Sequence, residues 1–411
     1  MIISAAVLAV LFYSGLVKIK PAHPFDCLLE PQVIHTVNGS LSCNPVKNNR
    51  GNYYSSRLKV SSVKGKVSSY EITSSARGIV DVMLPVSYVE SLYPGKLYSS
   101  AGRGVLAESG QCLSLRGKFS LKKNCFYAEE VFYLGSGSGF RAFCMNIRAK
   151  VRLAFKRLMY SWGNAGGLVL SLLSGSREYL EDGVSSLFML AGLSHILALS
   201  GMHLSFFAGI ADFSGRKLFG KKYSFYARLA GILFFVFFAG LSPSLLRALI
   251  CSLIMLAASA LYCQDTDYLA VLSAAFMIHI CVAAEDMYTP AFLLSYCALS
   301  GILIFSPEIK RILIPWTGDK ISSSLSASIG AQLASFPLSL SMFSMVAPGG
   351  ILASVIVSPL ASFFILAALV SVILSLFIPF LSPLFGIIMN LLYEVIIFTV
   401  RLFTFIPCIK L

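Results

Sequence analysis

The pattern of apolar residues changes after residue 165, where long apolar runs follow one another with short polar stretches between them. A helix needs about 20 mostly apolar residues to cross a bilayer. The pattern predicts roughly eight such spans, at residues 187–210, 224–242, 244–262, 267–283, 289–306, 323–346, 350–378 and 383–407. We therefore predict a mainly α-helical, polytopic membrane bundle over residues 165–411.

The N-terminal part of the chain has a different pattern. Residues 1–21 begin with an apolar run that lacks a basic n-region, which favours a retained membrane anchor over a signal peptide. Residues 22–140 contain short alternating runs separated by Gly, Ser, Asn and Pro, which is typical of strands joined by turns. Five strands would suit a soluble β-barrel of the OB type, whose open face binds single-stranded nucleic acid.

Residues 141–164 follow the helical period. Arg148, Arg152 and Lys156 recur every four residues, and apolar residues occupy the other side of the predicted helix. This pattern predicts a basic amphipathic helix in the membrane interface, with its basic side chains directed toward lipid headgroups or toward an anionic ligand.

The composition excludes an ordinary soluble domain, and the charge is unevenly distributed. Only 13% of the residues are charged, against about 25% in soluble domains. Residues 1–160 hold 21 Lys and Arg against 8 Asp and Glu, a net charge of +13, whereas residues 161–411 hold 12 against 11, a net charge of +1. A basic region beside a neutral bundle predicts a polyanionic partner, either single-stranded DNA or anionic membrane lipids.

Basic and aromatic residues are interleaved along the predicted β domain, and single-strand binding needs both kinds of side chain. The predicted DNA-binding residues are Arg57, Lys59, Lys64, Lys66, Arg103, Arg116 and Lys118. Two alternatives stay open at this point. Most of the aromatic residues would also fit as core and strand positions, and the positive charge alone would also fit attraction to lipid headgroups.

The predicted span at 187–210 contains polar groups that are costly in lipid. His195 and His203 flank Ser200-Gly201, a pair at which a helix can bend or break. Such groups usually face the interior of a bundle, a wet cavity or a partner. A broken span with two imidazoles therefore indicates a functional site.

Two more polar residues lie in apolar runs. Arg247 follows Ser242-Pro243, a pair that predicts the cap and first turn of a helix. Its guanidinium could contact phosphate in a pore or extend to the membrane interface. Gln332 lies among small residues, where a hydrogen bond between helices is the simpler interpretation.

Other chemistries are less well supported. Catalytic zinc usually needs three protein ligands, and His195 and His203 have no further ligand at suitable spacing, so we predict no metal and no cofactor. Ser200 with a nearby histidine resembles a nucleophile–base pair, which makes a membrane-embedded hydrolase an alternative, although no orienting acid is evident. A solute transporter is another alternative, but the inverted repeats typical of many transporters are not evident in the sequence.

Three blocks of the sequence resemble the ComEC competence family, inner-membrane channels that import single-stranded DNA during natural transformation. The blocks are GLSHILALSGMH at 192–203, AGLSPSLLRA at 239–248 and ASIGAQLASFP at 327–337. They occur in the order of the family. The resemblance implies a DNA path formed by His195, Ser200, Gly201, His203, Arg247, Gln332 and Pro337.

The resemblance also implies a cellular setting. It implies the bacterial cytoplasmic membrane, with the β domain on the outer side, and three partners: a DNA-receptor protein, a separate nuclease and a cytoplasmic DNA translocase. We expect no enzyme activity, because the HxHxDH cluster of the metallo-β-lactamase-like domain found in many members does not occur here. Ser176 stands where the family tends to have Asp, which puts the role of that acid in doubt.

Overall fold

The computed structural model describes residues 25–47, 52–67, 70–92, 107–120, 125–137, 139–181, 183–261, 265–343, 345–406 and 409–410. The predicted anchor at residues 1–21 and the predicted DNA-binding residue Arg103 lie outside these residues. Two compact units are present. Residues 25–167 and 176–179 form the N-terminal unit, and residues 168–175 and 180 onward form the C-terminal unit.

The N-terminal unit is built on a mixed sheet. Its strands alternate buried and exposed residues, so one face of the sheet packs on a core. On β4, for example, Leu58 and Val63 are buried in a core that Leu113 and Phe126 join from other strands. The strands are β1 (Asp26–Cys27), β2 (Ile34–Leu41), β3 (Val46–Lys47), β4 (Tyr53–Val67), β5 (Tyr70–Arg77), β6 (Ile79–Pro85), β7 (Gln111–Ser120) and β8 (Cys125–Ser136). A short helix, α1 (Val86–Leu92), follows β6.

The strand pairings follow a definite order. β4 pairs with β2, β2 with β7, β7 with β8, and β8 with β6, and β6 pairs in turn with the first half of β4. The β6–β8 pairing is parallel and the others are antiparallel. β5 pairs with the second half of β4, β1 pairs with β5, and β3 pairs with β4.

Two glycines allow the strands to bend. The register shifts at Gly39 on β2 and at Gly117 on β7. A side-chain carbon on Gly117 would lie 1.9 Å from the carbonyl oxygen of Tyr127, and one on Gly39 would lie 2.3 Å from that of Lys59. Only glycine permits this close approach, and irregularities of this kind increase the local twist of a strand.

The predicted amphipathic helix is present as α2 (Phe140–Ser161), but the predicted direction of its basic side chains is wrong. Arg152 is 1% exposed and Lys156 is 2% exposed, whereas Phe140 is 83% exposed and Phe143 is 62% exposed. The helix therefore buries Arg148, Arg152 and Lys156 in the N-terminal unit, whereas Phe140, Phe143, Ile147 and Val151 are exposed. The helical period predicts the helix, but the face that is buried depends on Glu108 and Glu178, which lie outside it in the chain.

The C-terminal unit is helical. Its helices are α3 (Gly163–Ser174, which begins in the N-terminal unit), α4 (Val184–Leu190), α5 (Gly201–Phe219), α6 (Ser224–Ala239), α7 (Pro243–Ala260), α8 (Tyr268–Val282), α9 (Pro290–Phe343), α10 (Gly350–Phe377) and α11 (Ser382–Thr404). Three short 3₁₀ helices cover Lys221–Tyr223, Ala284–Tyr288 and Pro379–Leu381, and β9 (Met345–Val346) pairs with β10 (Ile409–Lys410).

Among the described residues, five helical segments are long and apolar enough to cross a membrane. They begin at Lys221, Pro243, Pro290, Gly350 and Pro379, and α3 and α8 are shorter apolar helices. The predicted class, a helical membrane protein with an N-terminal β domain, is confirmed.

Two predicted spans are joined in one long helical element. The chain reverses within α9 at Gly318, whose φ of 72° is non-helical. The two halves, at 290–317 and 319–343, pack side by side. A 2.9 Å hydrogen bond between the hydroxyls of Ser306 and Ser326 joins them. A side-chain carbon on Gly301 would lie 2.3 Å from the carbonyl oxygen of Gly330, so the two backbones are nearly in contact.

Candidate functional site

The predicted span at 187–210 is interrupted. α4 ends at Leu190, residues 191–200 are non-helical, and α5 begins at Gly201. The break at Ser200-Gly201 is therefore confirmed, and it is longer than the sequence indicated. Ser194 and His195 within it are exposed.

Ser200 and His203 form a reciprocal cap at the start of α5. Ser200 has an extended backbone, and its N–H donates to Nδ1 of His203 at 3.2 Å. The Ser200 hydroxyl lies 3.1 Å from the same nitrogen. This arrangement resembles a capping box in which histidine takes the place of Glu or Gln at the third helical position.

The contact between Ser200 and His203 can also be compared with the nucleophile–base pair of a hydrolase. Because Nδ1 of His203 accepts a hydrogen bond, the proton of a neutral ring lies on Nε2. That nitrogen is buried and has no hydrogen-bond partner among the described residues. Within the part of the chain that the structure describes, no carboxylate is hydrogen-bonded to His203. The Ser–His contact is therefore explained by helix capping.

The three family-like blocks meet around the non-helical stretch. A side-chain carbon on Gly201 would lie 3.4 Å from the side chain of Ala248, at the end of the second block. A side-chain carbon on Gly350 would lie 3.1 Å from both the Gln332 amide nitrogen of the third block and Cα of Gly192 in the first. Pro337, five residues after Gln332, is exposed on α9.

Arg247 occupies the second turn of α7, as the sequence predicted. Ser242 caps this helix by accepting a hydrogen bond from the N–H of Leu245 at 3.4 Å, and Pro243 is in its first turn. The Arg247 guanidinium donates to the carbonyl oxygen of Ser295 and lies 5.9 Å from the centre of the Tyr296 ring. This is one of the five N–H donors of the guanidinium, and its Nε is buried without a hydrogen-bond partner among the described residues.

A buried polar network continues from Tyr296, and the sequence did not reveal it. The Tyr296 hydroxyl lies 3.2 Å from Nδ1 of His279, and Nε2 of His279 lies 3.3 Å from a carboxylate oxygen of Asp286. His279 is fully buried, whereas the Asp286 side chain is partly exposed. The only signal in the sequence was a lone histidine in an apolar run; the 3₁₀ helix at Ala284–Tyr288 and the start of α9 supply its partners.

The predicted DNA-binding residues that are described lie on neighbouring strands of the N-terminal unit. Lys59, Lys64 and Lys66 are on β4, together with Arg57, and Arg116 and Lys118 are on β7. β2 lies between these strands. The structure thus places six of the seven residues on one stretch of sheet, β4–β2–β7.

Part of this positive charge is neutralised. Exposed ion pairs join Arg57 to Asp81 at 3.9 Å, Arg116 to Glu130 at 3.7 Å and Lys118 to Glu129 at 3.5 Å. Lys59, Lys64 and Lys66 have no ion-pair partner among the residues that the structure describes. Of the predicted DNA-binding residues on β4 and β7, these three lysines are therefore the most available to bind an anion.

A second cluster of charges is buried in the N-terminal unit. Glu108 lies 2.8 Å from Nε of Arg152 and 3.5 Å from Nζ of Lys156. Lys156 also contacts Glu178 at 2.6 Å, and Arg152 donates to the Ser176 hydroxyl at 3.0 Å. Burial alone would raise the pKa of the Glu108 carboxyl, but the positive charges of Arg152, Lys156 and Arg148 hold it below its ordinary value.

This cluster explains why α2 faces inward with its basic side. Acids from the loop before β7 and from residues 176–179 surround cations that would otherwise be buried without counter-charges. Ser176, where the family resemblance leads us to expect Asp, accepts a hydrogen bond but supplies no negative charge. Separately, no group of three potential metal ligands occurs among the described residues.

Comparison with known proteins places the C-terminal unit in context. Residues 172–411 match the family model described as Competence protein. ComE operon protein 3 of Bacillus subtilis (strain 168) is 27% identical over 215 residues, which cover 51% of this chain and 26% of that protein. An uncharacterized protein of Aquifex aeolicus (strain VF5) is 26% identical over 329 residues, covering 79% of this chain and 74% of that protein. No solved structure matches the chain.

Proposed function

The chain belongs to the Competence protein family, and from this premise we propose that it forms a channel for single-stranded DNA in the bacterial cytoplasmic membrane during natural transformation. The family indicates a role in DNA uptake, and the five long apolar segments supply a membrane-spanning body.

The observation that carries the proposal is the non-helical stretch at 191–200. Non-helical backbone at membrane depth is tolerated only where protein buries it or where it lines a water-filled cavity. Ser194 and His195 in this stretch are exposed polar residues, and Ala248 and Gln332 border its two ends. A water-filled path past this stretch accounts for both features.

The polar residues contribute to such a path in different ways. Ser200 and His203 hold the start of α5, so they shape the path through the break. Arg247 joins α7 to α9 through Ser295, and its charge gives the path a positive potential. Scattered contacts of this kind suit a channel, because a cargo that binds too tightly cannot leave.

We propose that the β domain is an OB-like domain on the outer face of the membrane that guides the strand. Two features support an OB-like domain. The strands β4, β2, β7, β8 and β6 pair in that order, with β6 pairing again with β4, and the β6–β8 pair is parallel. Lys59, Lys64 and Lys66 would attract phosphate groups. A DNA receptor, a nuclease and a cytoplasmic translocase would act as separate partners, and no enzyme activity is assigned to this chain.

Deletion of the gene in the source bacterium tests the proposal. We expect the mutant to bind labelled duplex DNA at its surface while no single strand reaches the cytoplasm, so transformation by a marker gene is lost. A plasmid copy of the wild-type gene should restore both. Normal arrival of the label and normal transformation in the deletion strain would refute the channel.

Substitution of Ser200 separates the channel from a hydrolase. Ser200→Ala removes a helix cap, which costs about 1 kcal/mol of stability, so we expect DNA import to persist at a reduced level. His203→Gln keeps a side chain suited to the third position of a capping box, so we expect nearly normal import. Complete loss of import in both variants, with normal amounts of protein in the membrane, would favour a chemical role for this pair.

A further inference from the structure

An apolar groove lies between α5, α6 and α10 of the C-terminal unit. It is open on one side and has a volume of about 430 Å³. Its lining includes Phe207, Leu218, Phe219, Ala230, Phe234 and Ile373. A groove of this chemistry offers almost no hydrogen-bonding group to a polar ligand.

Small residues create the depth of the groove. A side-chain carbon on Gly215 would lie 2.4 Å from the side chain of Ala227, and one on Gly231 would lie 2.5 Å from that of Ala211. α5 and α6 therefore approach each other at backbone distance, and all four residues line the groove. The larger side chains, such as Phe207 and Phe234, form its walls.

A group of lysines flanks one end of the groove. Leu218 and Phe219 line this end, and Lys217, Lys221 and Lys222 are their exposed neighbours in the chain. None of the three lysines has an ion-pair partner within the described part of the chain. Three cations are therefore available to a ligand.

Two neighbouring features mark this end further. Arg216 is less available to an anionic ligand than the three lysines, because it forms an ion pair with Asp212 at 2.8 Å and donates a hydrogen bond to the Ser224 hydroxyl at 3.3 Å. Tyr223 and Tyr226 are exposed beside the lysines. Exposed tyrosines next to lysines at the end of an apolar helix are typical of the headgroup level of a membrane.

We propose that this groove is a binding site for an anionic phospholipid. One acyl chain lies along the apolar lining, and the phosphate group is held by Lys217, Lys221 and Lys222. A nucleic acid strand would leave the apolar lining uncovered, and a zwitterionic lipid would bring an ammonium group to the lysines. An anionic amphiphile matches both parts of the site.

Lipid retention by the purified full-length protein tests the proposal. The protein is exchanged into detergent with equal amounts of phosphatidylglycerol and phosphatidylcholine, and bound lipid is counted by native mass spectrometry. We expect retention of phosphatidylglycerol to exceed that of phosphatidylcholine several-fold. The combined substitution Lys217→Gln, Lys221→Gln and Lys222→Gln should abolish this preference, whereas Lys320→Gln, at an exposed lysine on α9, should leave it unchanged.

Groove-filling substitutions test the acyl-chain part of the site. Ala230 and Ala257 are both exposed alanines on apolar helices, but only Ala230 lines the groove. We expect Ala230→Phe to lower phosphatidylglycerol retention several-fold and Ala257→Phe to have little effect. If Ala230→Phe prevents folding, the lysine variant decides, because its substitutions are at exposed positions.

Three outcomes would overturn the proposal. The first is equal retention of the two lipids by the wild-type protein. The second is an equal loss in Ala230→Phe and Ala257→Phe. The third is displacement of the bound phosphatidylglycerol by a single-stranded oligonucleotide, which would assign the lysines to the nucleic acid. None of these outcomes depends on whether the chain conducts DNA.

Discussion

Single buried charges determine the orientation of α2. Its cations repeat at a spacing that also suits a helix with its basic side exposed. Glu108 and Glu178 reverse this expectation, because they supply buried counter-charges to Arg152 and Lys156. A buried charge without a partner is far more costly than an exposed phenylalanine, so the acids decide which face is inside.

Removal of Glu108 should therefore be costly. We expect Glu108→Gln to lower the free energy of unfolding by about 3 kcal/mol, because two buried cations lose a shared counter-charge. Denaturation of the full-length protein, followed by the fluorescence of the buried Trp162 in the N-terminal unit, measures the effect. The control Glu129→Gln removes an exposed partner of Lys118 and should change stability by less than about 1 kcal/mol. Equal losses would contradict a role for burial.

The same carboxylate makes stability depend on pH. The pKa of Glu108 is lower in the folded protein than the ordinary value of 4.5, so the folded state binds this proton less readily than the unfolded chain. Its contribution is complete above the ordinary pKa and is lost as the pH falls through the lower folded value. We expect unfolding in acid to become less pH-dependent in Glu108→Gln than in wild type, as measured by denaturation at a series of pH values.

At the level of elements, α9 shows how two spans become a hairpin. Gly318 reverses the chain, and Gly301 and Gly330 allow the halves to approach at backbone distance. The sequence indicated two apolar runs and many small residues, which are features of close packing. It did not indicate which helix would be the packing partner.

A single methyl group tests this contact. In Gly301→Ala the new carbon would lie 2.3 Å from the Gly330 carbonyl oxygen, so we expect a loss of about 2 kcal/mol or more, measured by thermal unfolding in detergent. Gly209→Ala is the matched control on α5, where nothing lies within 4 Å of the added carbon. There we expect a gain of about 1 kcal/mol from helix propensity. Similar changes in both variants would contradict the hairpin contact.

The outward face of α2 leads to another prediction. Phe143 is exposed on the apolar side of the helix, and Glu129, an exposed residue of β8, is the polar control. We expect the apolar face to enter the bilayer interface. An environment-sensitive fluorescent amino acid at position 143 of the reconstituted protein should be quenched by brominated lipid several-fold more than one at position 129. Equal quenching at the two positions would argue against insertion.

At the scale of the whole molecule, charge and apolar surface are separated along the chain. Nearly all of the net charge of +14 comes from the first 160 residues, whereas the five long apolar helical segments found among the described residues begin at Lys221 or later. Under the proposed function, a polyanion would be attracted by the first part and would cross the membrane through the second. The described residues likewise divide into two compact units.

The salt dependence of strand binding measures the first role. Each phosphate contact on a single strand contributes about 0.7 to the slope of log affinity against log salt. We expect the combined substitution Lys59→Gln, Lys64→Gln and Lys66→Gln to reduce the slope by about 2 for oligonucleotide binding by the full-length protein. The lysine variant of the lipid groove is the control and should keep the wild-type slope. If the three substitutions on β4 left the slope unchanged, the lysines of β4 would not contact the DNA.

The sequence by itself determined the features that arise from local chemistry. The length of the apolar runs predicted most of the spans, because the cost of transferring a segment into lipid depends on that segment alone. Ser242-Pro243 predicted the start of α7, and Ser200-Gly201 predicted the break before α5, because caps and breaks depend on neighbouring residues.

Tertiary structure decided what depends on residues far apart in the chain. It paired Arg152 with Glu108, placed Arg247 against Tyr296, and brought Gln332 beside Gly350. Each of these contacts joins residues more than 15 positions apart. Periodicity shows that a helix has two faces, but the counter-charges and the close-packing surfaces that select the buried face are supplied by other elements once the chain has folded.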